Sequence, residues 1–380
     1  MRPAEMTDPS NDLVKGTDVE EPVEDIHEEE ATTPYRFTVT SYGADYPVDG
    51  LVKRLEAGDI AIPTFDPEIE AEVDVEGFQR QFVWTKPQCD RFIESLLLGL
   101  PVPGIFLVRQ NDGRLLVLDG QQRLRTLATF YRGVLRGREF GLENVQDRYK
   151  KLTYAALAVE DRRRLDDSII HATIVRQEEP SDDQSSVYLV FERLNTGGTT
   201  LHPQEIRVAL YRGHLIRLLR TLNDNVDWRA LYGNKSNRLK DQELILRFFA
   251  LRFWRDNYGR PMKDFLNRYT AGNRSLQLQD EGTLRRAFEQ AIRVIREALG
   301  QRAFRLKRAL NAAILDAVMV GVSTRIETSG PVSDLESLRA AYETLLTNEH
   351  FLTATGRATA DEEYVRNRIA LAVDALSSVR

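Results

Sequence analysis

The 380-residue sequence is poor in sulfur ligands and has no long apolar run. It contains one cysteine, Cys89, and its five histidines stand singly along the chain. A structural zinc site needs several Cys or His ligands at short recurring spacings, so no such site is predicted. No stretch of about 18 apolar residues occurs, which excludes a membrane-spanning helix. The most apolar window, 96–108, is interrupted by Pro101 and Pro103 and is predicted to lie in a core.

The N-terminus also lacks the basic segment and following apolar segment of a secretory signal. With a single cysteine, this predicts a cytoplasmic protein in a reducing compartment. Residues 1–34 hold 11 acidic and 2 basic side chains, whereas residues 35–380 carry a net charge of +3. The acidic segment is predicted to be a disordered tail, because it has too few apolar residues to bury a core. It is either a solvating leader or an acidic competitor for a nucleic-acid groove.

Hydrophobic patterning predicts an α+β protein in which a small mixed α/β domain precedes a mostly helical part. Strands are predicted at 36–41 and 168–177, and a β-hairpin over 104–119, where an Asp-Gly turn separates two apolar runs. Helices are predicted from 48 to about 58 and from the cap Thr85, with Pro87 in its first turn. Further helices are predicted from the cap Ser181, from Pro203, and at about 238–256, 261–270, 281–299, 304–325, 333–346 and 360–377.

These elements predict four segments along the chain. They are a disordered acidic tail over 1–34, a mixed α/β domain over 35–180, a motif-bearing helical connection over 181–235 and a helical domain over 236–380. The change from the mixed domain to the helical part falls between 180 and 235, because strand patterns fade after about 181 and helical patterns take over.

The segment VLDGQQRLRTL, 117–127, concentrates polar residues where a strand is predicted to lead into a helix. Gly120 permits a tight turn, and the first free N–H groups of the helix would then form a seat for an anion. Arg123 can grip a phosphate, Gln121 or Gln122 can orient a water or a sugar hydroxyl, and Asp119 can hold a metal or act as a base. The alternative is that Asp119 only caps the helix and Arg123 forms a surface salt bridge.

A second segment, GFQRQFVW at 77–84, places Gln79 and Arg80 beside the aromatic residues Phe82 and Trp84. A polar pair framed by aromatic rings suits a nucleotide or a flipped base stacked on a ring. A β-strand with its aromatic side chains in the core explains the same spacing.

A third segment, VFERLNTGGTTLHPQEIRVAL at 190–210, predicts a helix end, a glycine-containing loop and a new helix. Arg193 and Asn195 end the first helix, Gly198 lies in the loop, and Glu205 follows the new start. Backbone N–H groups and Asn195 would be free to bind a ligand there, although the glycine pair also suits a helix end and a hinge.

Four motifs follow one another in a fixed order: FQRQFVW, SLLLGLPVPGIFL, VLDGQQRLRTL and FERLNTGGTTLHPQEI. Together they resemble the N-terminal domain family of GmrSD-type modification-dependent restriction enzymes. The resemblance extends over about 45–325. It implies a ParB/sulfiredoxin-like fold, with nucleotide binding and NTP hydrolysis centred on the DGQQR motif. Proteins of this family restrict phage or foreign DNA, often by sensing modified bases.

Carried onto this chain, the resemblance implies a set of site residues. The catalytic candidates are Asp119, Gln121, Gln122 and Arg123; the nucleotide-binding candidates are Gln79, Arg80, Gly120, Arg193, Asn195, Gly198 and Glu205; and Phe82 and Trp84 are candidates for base stacking. The implied ligands are an NTP and Mg²⁺, with Asp119 as the metal ligand.

Restriction members of the family also carry an HNH-type nuclease domain, but residues beyond 240 contain a single histidine, His350. The chain is therefore predicted to be a stand-alone NTPase whose nuclease is a separate subunit. The alternatives are a DNA-binding, nucleotide-sensing regulatory subunit without turnover and a ParB-like phosphotransferase or nuclease. The predicted partners are a nucleotide, modified or phage DNA, the separate nuclease and a second copy of the chain, with no membrane.

Overall fold

The computed structural model of the chain describes residues 23–24, 38–63, 84–110, 112–179, 185–194, 202–356 and 359–380. Apart from Val23 and Glu24, the predicted acidic tail lies outside the described residues, as does the predicted cap Ser181. A five-stranded mixed sheet occupies the N-terminal part and helices occupy the C-terminal part, which confirms the predicted α+β class.

The strands in chain order are β1 (Val23–Glu24), β2 (Thr38–Pro47), β3 (Ile60–Ala61), β4 (Ile105–Arg109), β5 (Leu115–Asp119), β6 (Val134–Leu135), β7 (Arg138–Glu139), β8 (Ile169–Glu179) and β9 (Leu310–Asn311). The main sheet has the order β2-β8-β4-β5-β3. Strand β4 pairs antiparallel with β5, which confirms the predicted hairpin. Strands β2 and β8 are also antiparallel, whereas β4 pairs with β8 and β3 with β5 in parallel.

Strand β2 extends well beyond the predicted segment 36–41. It pairs with β8 from Val39, opposite Gln177, to Pro47, opposite Ile169. Residues 42–46 do alternate, with Tyr42, Ala44 and Tyr46 at every second position and Ala44 and Tyr46 packed against the core, but the exposed Gly43 and Asp45 between them are poor strand formers, so no strand was predicted beyond residue 41. Backbone pairing with β8 continues the strand through them.

The helices in chain order are α1 (Val48–Glu56), α2 (Lys86–Leu97), α3 (Gln121–Arg132), α4 (Val159–Asp166), α5 (Ser185–Leu194), α6 (Pro203–Leu210), α7 (His214–Asn223), α8 (Val226–Tyr232), α9 (Lys240–Phe253), α10 (Met262–Gly272), α11 (Glu281–Leu299), α12 (Ala312–Ser329), α13 (Leu335–Leu345), α14 (Glu349–Gly356) and α15 (Glu362–Ser377). Helix α2 confirms the predicted start after Thr85, whose N–H donates to the Gln88 side chain at 2.8 Å.

Four of these helices were not predicted separately: α4, α7, α8 and α14. Helices α4, α8 and α14 have eight residues or fewer, too few to establish a clear period. Helix α12 begins later than the predicted residue 304, because the Asn311 side chain caps it by accepting a hydrogen bond from the Ile314 N–H at 3.0 Å.

The sheet is buried on both faces. Helices α1 to α4 cover one face, where Val117 packs in the same core as Leu124 of α3. Helices α5 and α6 cover the other face, where Leu118 packs with Phe191 and Ile206. A third core joins the helices from α7 to α15. The predicted connection 181–235 therefore divides, with α5 and α6 on the sheet and α7 and α8 in the helical core.

Helix α6 is also bonded to the helical part through Arg207, which is fully buried. Its guanidinium donates to Oδ1 of Asn267 at 2.7 Å, to Oε2 of Glu243 at 2.7 Å and to the Lys263 carbonyl at 3.2 Å. Burial acts to raise the pKa of Glu243, but the adjacent Arg207 charge outweighs it and the pKa is lowered. Arg207 and Glu243 therefore form an ion pair that fixes α6 to α9, and the hydrogen bonds of Arg207 to Asn267 and Lys263 fix α6 to α10.

None of the described helices is long and apolar enough to cross a membrane.

Candidate functional site

The DGQQR segment runs from the last residue of β5 into the first turn of α3. Asp119 ends the strand, Gly120 is the N-terminal cap and Gln121 is the first helical residue, which confirms the predicted strand–turn–helix arrangement. The first N–H groups of a helix have no intrahelical acceptor, and the helix dipole is positive at this end. The start of α3 therefore favours a bound anion.

Gly120 is required by the geometry of the turn. It has φ 95° and ψ 9°, in the left-handed region that side chains disfavour. A methyl group there would lie 2.4 Å from Cγ2 of Ile105 and 3.1 Å from Nη2 of Arg123. Only glycine allows the chain to turn this close to Ile105 of β4. The direction of this turn determines the direction of α3.

Two oxygen atoms at this end of the sheet hold the guanidinium of Arg123. Its Nη2 donates to the Gly104 carbonyl at 2.9 Å and to Oδ2 of Asp119 at 2.9 Å. The Arg123 side chain is 14% exposed and that of Asp119 is 50% exposed. The salt bridge of the alternative interpretation thus exists, but it involves a mostly buried arginine that is also fixed by a backbone carbonyl.

Two polar atoms in the first turn of α3 are buried without a hydrogen-bond partner among the described residues. They are Nε of Arg123, a donor, and Oε1 of Gln121, an acceptor. A buried polar atom left unpaired costs about 1–3 kcal/mol, so such atoms are expected where a ligand binds. A phosphate oxygen suits the donor, and a hydroxyl, amine or water suits the acceptor.

Gln122 connects the DGQQR motif to Trp84, the last residue of the GFQRQFVW segment. Its Oε1 lies 3.4 Å from the backbone N of Trp84, and the Trp84 carbonyl accepts a hydrogen bond from Arg136. The half-buried Trp84 ring packs edge-on against Phe92, with ring centroids 5.5 Å apart. The structure therefore brings Trp84 beside the DGQQR helix, with its ring packed against the core.

Arg125, two residues after Arg123, was not singled out from the sequence. It is buried on α3, and burial lowers the pKa of its guanidinium to about 10. It therefore remains protonated at neutral pH and adds a buried positive charge in the N-terminal half of α3. The second arginine in QQRLR is the sequence signal for it.

Arg193 and Glu205 lie on α5 and α6, on the sheet face opposite α3. Arg193 is exposed. Glu205 accepts a hydrogen bond from the His202 N–H at 2.6 Å and forms an ion pair with Arg238 at 3.0 Å. Its carboxylate thus caps α6 and binds Arg238, and a role in nucleotide binding stays a prediction for both residues.

The remaining predicted site residues, Gln79, Arg80, Phe82, Asn195 and Gly198, lie outside the described residues. Sequence reasoning missed Gly104, whose carbonyl holds Arg123; its signal is the glycine directly before the first strand of the hairpin. Within the described ranges, no group of three or more His, Cys, Asp or Glu side chains is placed to hold a metal ion.

Residues 65–212 match the model of the family described as GmrSD restriction endonuclease, N-terminal domain. The match contains the three polar motifs and the hairpin. It is shorter than the resemblance predicted over about 45–325, since residues 45–64 and the helices after 212 are not matched. Searches of curated proteins and of solved structures return no significant match. Residues 65–212 are therefore a domain of the GmrSD restriction endonuclease N-terminal family.

Proposed function

We propose that this chain binds a nucleoside triphosphate at the start of α3 and hydrolyses it, as part of the restriction of foreign DNA. Membership of the GmrSD family supports the restriction-related role. The observation that carries the nucleotide assignment is the buried Nε of Arg123, which has no hydrogen-bond partner within the described ranges and lies at a helix start that already favours anions.

Arg123 binds the phosphates in this proposal. Its Nη2 is fixed by Gly104 and Asp119, so the guanidinium loses little freedom when Nε donates to a phosphate oxygen. The N–H groups of the first turn of α3, which have no acceptor within the helix, bind a second oxygen. Both interactions strengthen as negative charge shifts on the phosphates in the transition state.

Asp119 and the two glutamines complete the proposed site. Mg²⁺ is commonly held by one or two carboxylates together with substrate phosphates, and the half-exposed Asp119 suits that role. When bound, the ion would neutralise part of the phosphate charge. Gln121, whose Oε1 is buried and unpaired among the described residues, accepts a hydrogen bond from the attacking water and orients it. Gln122 is fixed nearby by Trp84.

The test is phosphate release from ATP, GTP, CTP and UTP, with and without DNA, by wild type and by Arg123→Ala. We expect Arg123→Ala to lower kcat by at least about 100-fold, the usual effect of removing one preorganised donor. The matched control is Arg132→Ala, an exposed arginine in the last turn of the same helix, which should keep the wild-type rate. Circular dichroism checks that both variants fold. Wild-type rates in both Arg123→Ala and Asp119→Ala would refute the assignment.

The Asp119–Arg123 ion pair favours a second candidate, a subunit that senses a nucleotide and binds DNA without turnover. In that case Asp119 serves to position Arg123 rather than to hold a metal. The expected result is nucleotide binding that requires Arg123, a steep loss of DNA affinity with added salt, and no phosphate release under any condition.

A further inference from the structure

A connection rich in basic side chains follows α11. Residues 300–309, here called the basic loop, join α11 to β9 and contain Arg302, Arg305, Lys307 and Arg308. The sequence from 298 to 315 contains no aspartate or glutamate. The basic loop therefore has four basic side chains and no acidic side chain beside them in the sequence.

Contacts with two neighbouring helices fix the backbone of the basic loop. Ala303 is buried, and its carbonyl accepts a hydrogen bond from the Tyr342 hydroxyl of α13. Arg305 contacts the end of α8, where its Nη2 donates to the Tyr232 carbonyl at 2.8 Å. A loop held in this way loses little further freedom when a ligand binds to it.

Three cations of the basic loop lie together on the surface. Arg302, Lys307 and Arg308 are exposed, and Nη2 of Arg302 donates to the Lys307 carbonyl at 3.1 Å. Among the described residues, no carboxylate forms an ion pair with any of the three. Neighbouring charges of one sign repel each other, and a bound polyanion relieves that repulsion. The surface therefore suits a ligand with several closely spaced negative charges.

Duplex DNA is a ligand of this kind, since it carries one negative charge per about 1.7 Å of its axis. The family that residues 65–212 match is described as a restriction endonuclease domain, which favours DNA over an acidic protein as the partner. Contacts between cations and phosphates supply affinity and position the protein, but they do not read the base sequence.

The acidic N-terminal segment is attached next to the basic loop. Val23 of β1 pairs in parallel with Leu310, the first residue of β9. Val23 is half-buried against the helical core. Both strands of a parallel pair are entered from the same end, so the chain reaches Val23 from the side on which the basic loop reaches Leu310. The sequence directly before β1, 18–21, is DVEE.

We propose that the basic loop binds the phosphates of DNA and that the acidic segment before β1 competes with DNA for the same cations. This inference rests on the restriction-related role in the proposed function and is independent of nucleotide hydrolysis. Because the competitor belongs to the same chain, its effective concentration at the loop does not depend on the protein concentration. DNA has to displace the segment, so the segment weakens binding to every DNA sequence alike.

The first test measures affinity for a labelled DNA duplex at several salt concentrations by fluorescence anisotropy. The variant combines Arg302→Gln, Lys307→Gln and Arg308→Gln, and thermal unfolding checks its fold. Each lost phosphate contact should make the slope of log affinity against log salt less negative by about 0.9, for all DNA sequences alike. The control is Arg91→Gln, an exposed arginine on α2 that also has no ion pair in the described ranges, and it should keep the wild-type slope.

The second test neutralises the competing segment by combining Asp18→Asn, Glu20→Gln and Glu21→Gln. We expect the DNA affinity at low salt to rise by about fivefold or more, the lower limit of a typical coupling between two ligands. The gain should disappear when the same changes are made in the variant of the basic loop, because the acidic residues then have no cations to occupy. A change in net charge alone would give the same gain in both proteins.

The outcomes separate this inference from the proposed nucleotide hydrolysis. Wild-type affinity and salt slope in the variant of the basic loop would overturn DNA binding there, and equal gains in both proteins would overturn the competition. The variant of the basic loop should keep the wild-type rate of phosphate release measured without DNA. A protein that binds DNA through the loop but releases no phosphate from any NTP would refute the hydrolysis and leave this inference standing.

Discussion

Replacing Asp316 by asparagine is expected to lower the free energy of unfolding by about 3–5 kcal/mol, the usual cost of removing one partner from a buried ion pair. Asp316 is fully buried on α12. Its Oδ2 accepts hydrogen bonds from Nη2 of Arg247 at 2.6 Å and from Nη2 of Arg368 at 2.9 Å. The substitution keeps the shape of the side chain but leaves two guanidinium charges in the core without a counter-charge.

The effect should depend on pH. Burial acts to raise the pKa of Asp316, but the charges of Arg247 and Arg368 outweigh it, so the pKa is lowered on folding. A carboxyl with a lowered pKa stabilises the fold fully above its unfolded value of about 3.9 and loses that contribution as pH falls through the folded value. The difference between wild type and Asp316→Asn should therefore be constant near neutrality and shrink below about pH 4.

Urea denaturation at several pH values measures this difference. The matched control is Asp374→Asn, an exposed aspartate on α15, which is expected to change stability by less than about 0.5 kcal/mol. A loss in Asp316→Asn no larger than that of the control would show that the two arginines do not depend on this carboxylate.

The second large effect is expected at the turn of the DGQQR motif. Gly120→Ala combines a left-handed backbone with a contact of 2.4 Å to Ile105, so the free energy of unfolding should fall by about 2–4 kcal/mol. The strand β5 and the helix α3 cannot then keep their close approach. Nucleotide binding should be lost even at temperatures where the variant remains folded, because Arg123 is displaced with the start of α3.

Gly133→Ala provides the control for backbone strain alone. Gly133 follows the other end of α3 with φ 77°, and no neighbouring atom lies within 4 Å of a Cβ built there. This variant should cost about 1–2 kcal/mol, since a side chain in the left-handed region is the only penalty. Equal losses in the two variants would refute the packing argument at Gly120.

Much of this site was predictable because local rules decide it. The apolar run of β5, the glycine and the leucine spacing of α3 predict the strand–turn–helix geometry around Asp119 and Arg123. The hairpin β4–β5 follows from the Asp-Gly turn between two apolar runs. These features depend on residues close together in sequence, so the local pattern of apolar and turn residues is enough to predict them.

Long-range partners were not predictable in the same way. Gly104 holds Arg123 from 19 residues away, and His171 meets Asp45 across 126 residues. No local spacing in the sequence predicts either contact, because the pairing of distant strands brings the residues together. The end of β2 was missed for a related reason, since Gly43 and Asp45 weaken its strand pattern and the pairing with β8 is what extends it.

The buried Arg207 has a consequence for how the protein can be divided. The family match ends at residue 212, yet apart from Gln204 the hydrogen-bond partners of this guanidinium, Glu243, Lys263 and Asn267, lie beyond it. A fragment ending at 212 would lack the residues that cover Arg207 and bind its charge, and the side of α6 that faces α9 and α10 would be exposed to solvent. The limits of the family match thus differ from the limits of the contacts that hold α6, and we expect a fragment ending at 212 to be less stable than the full chain.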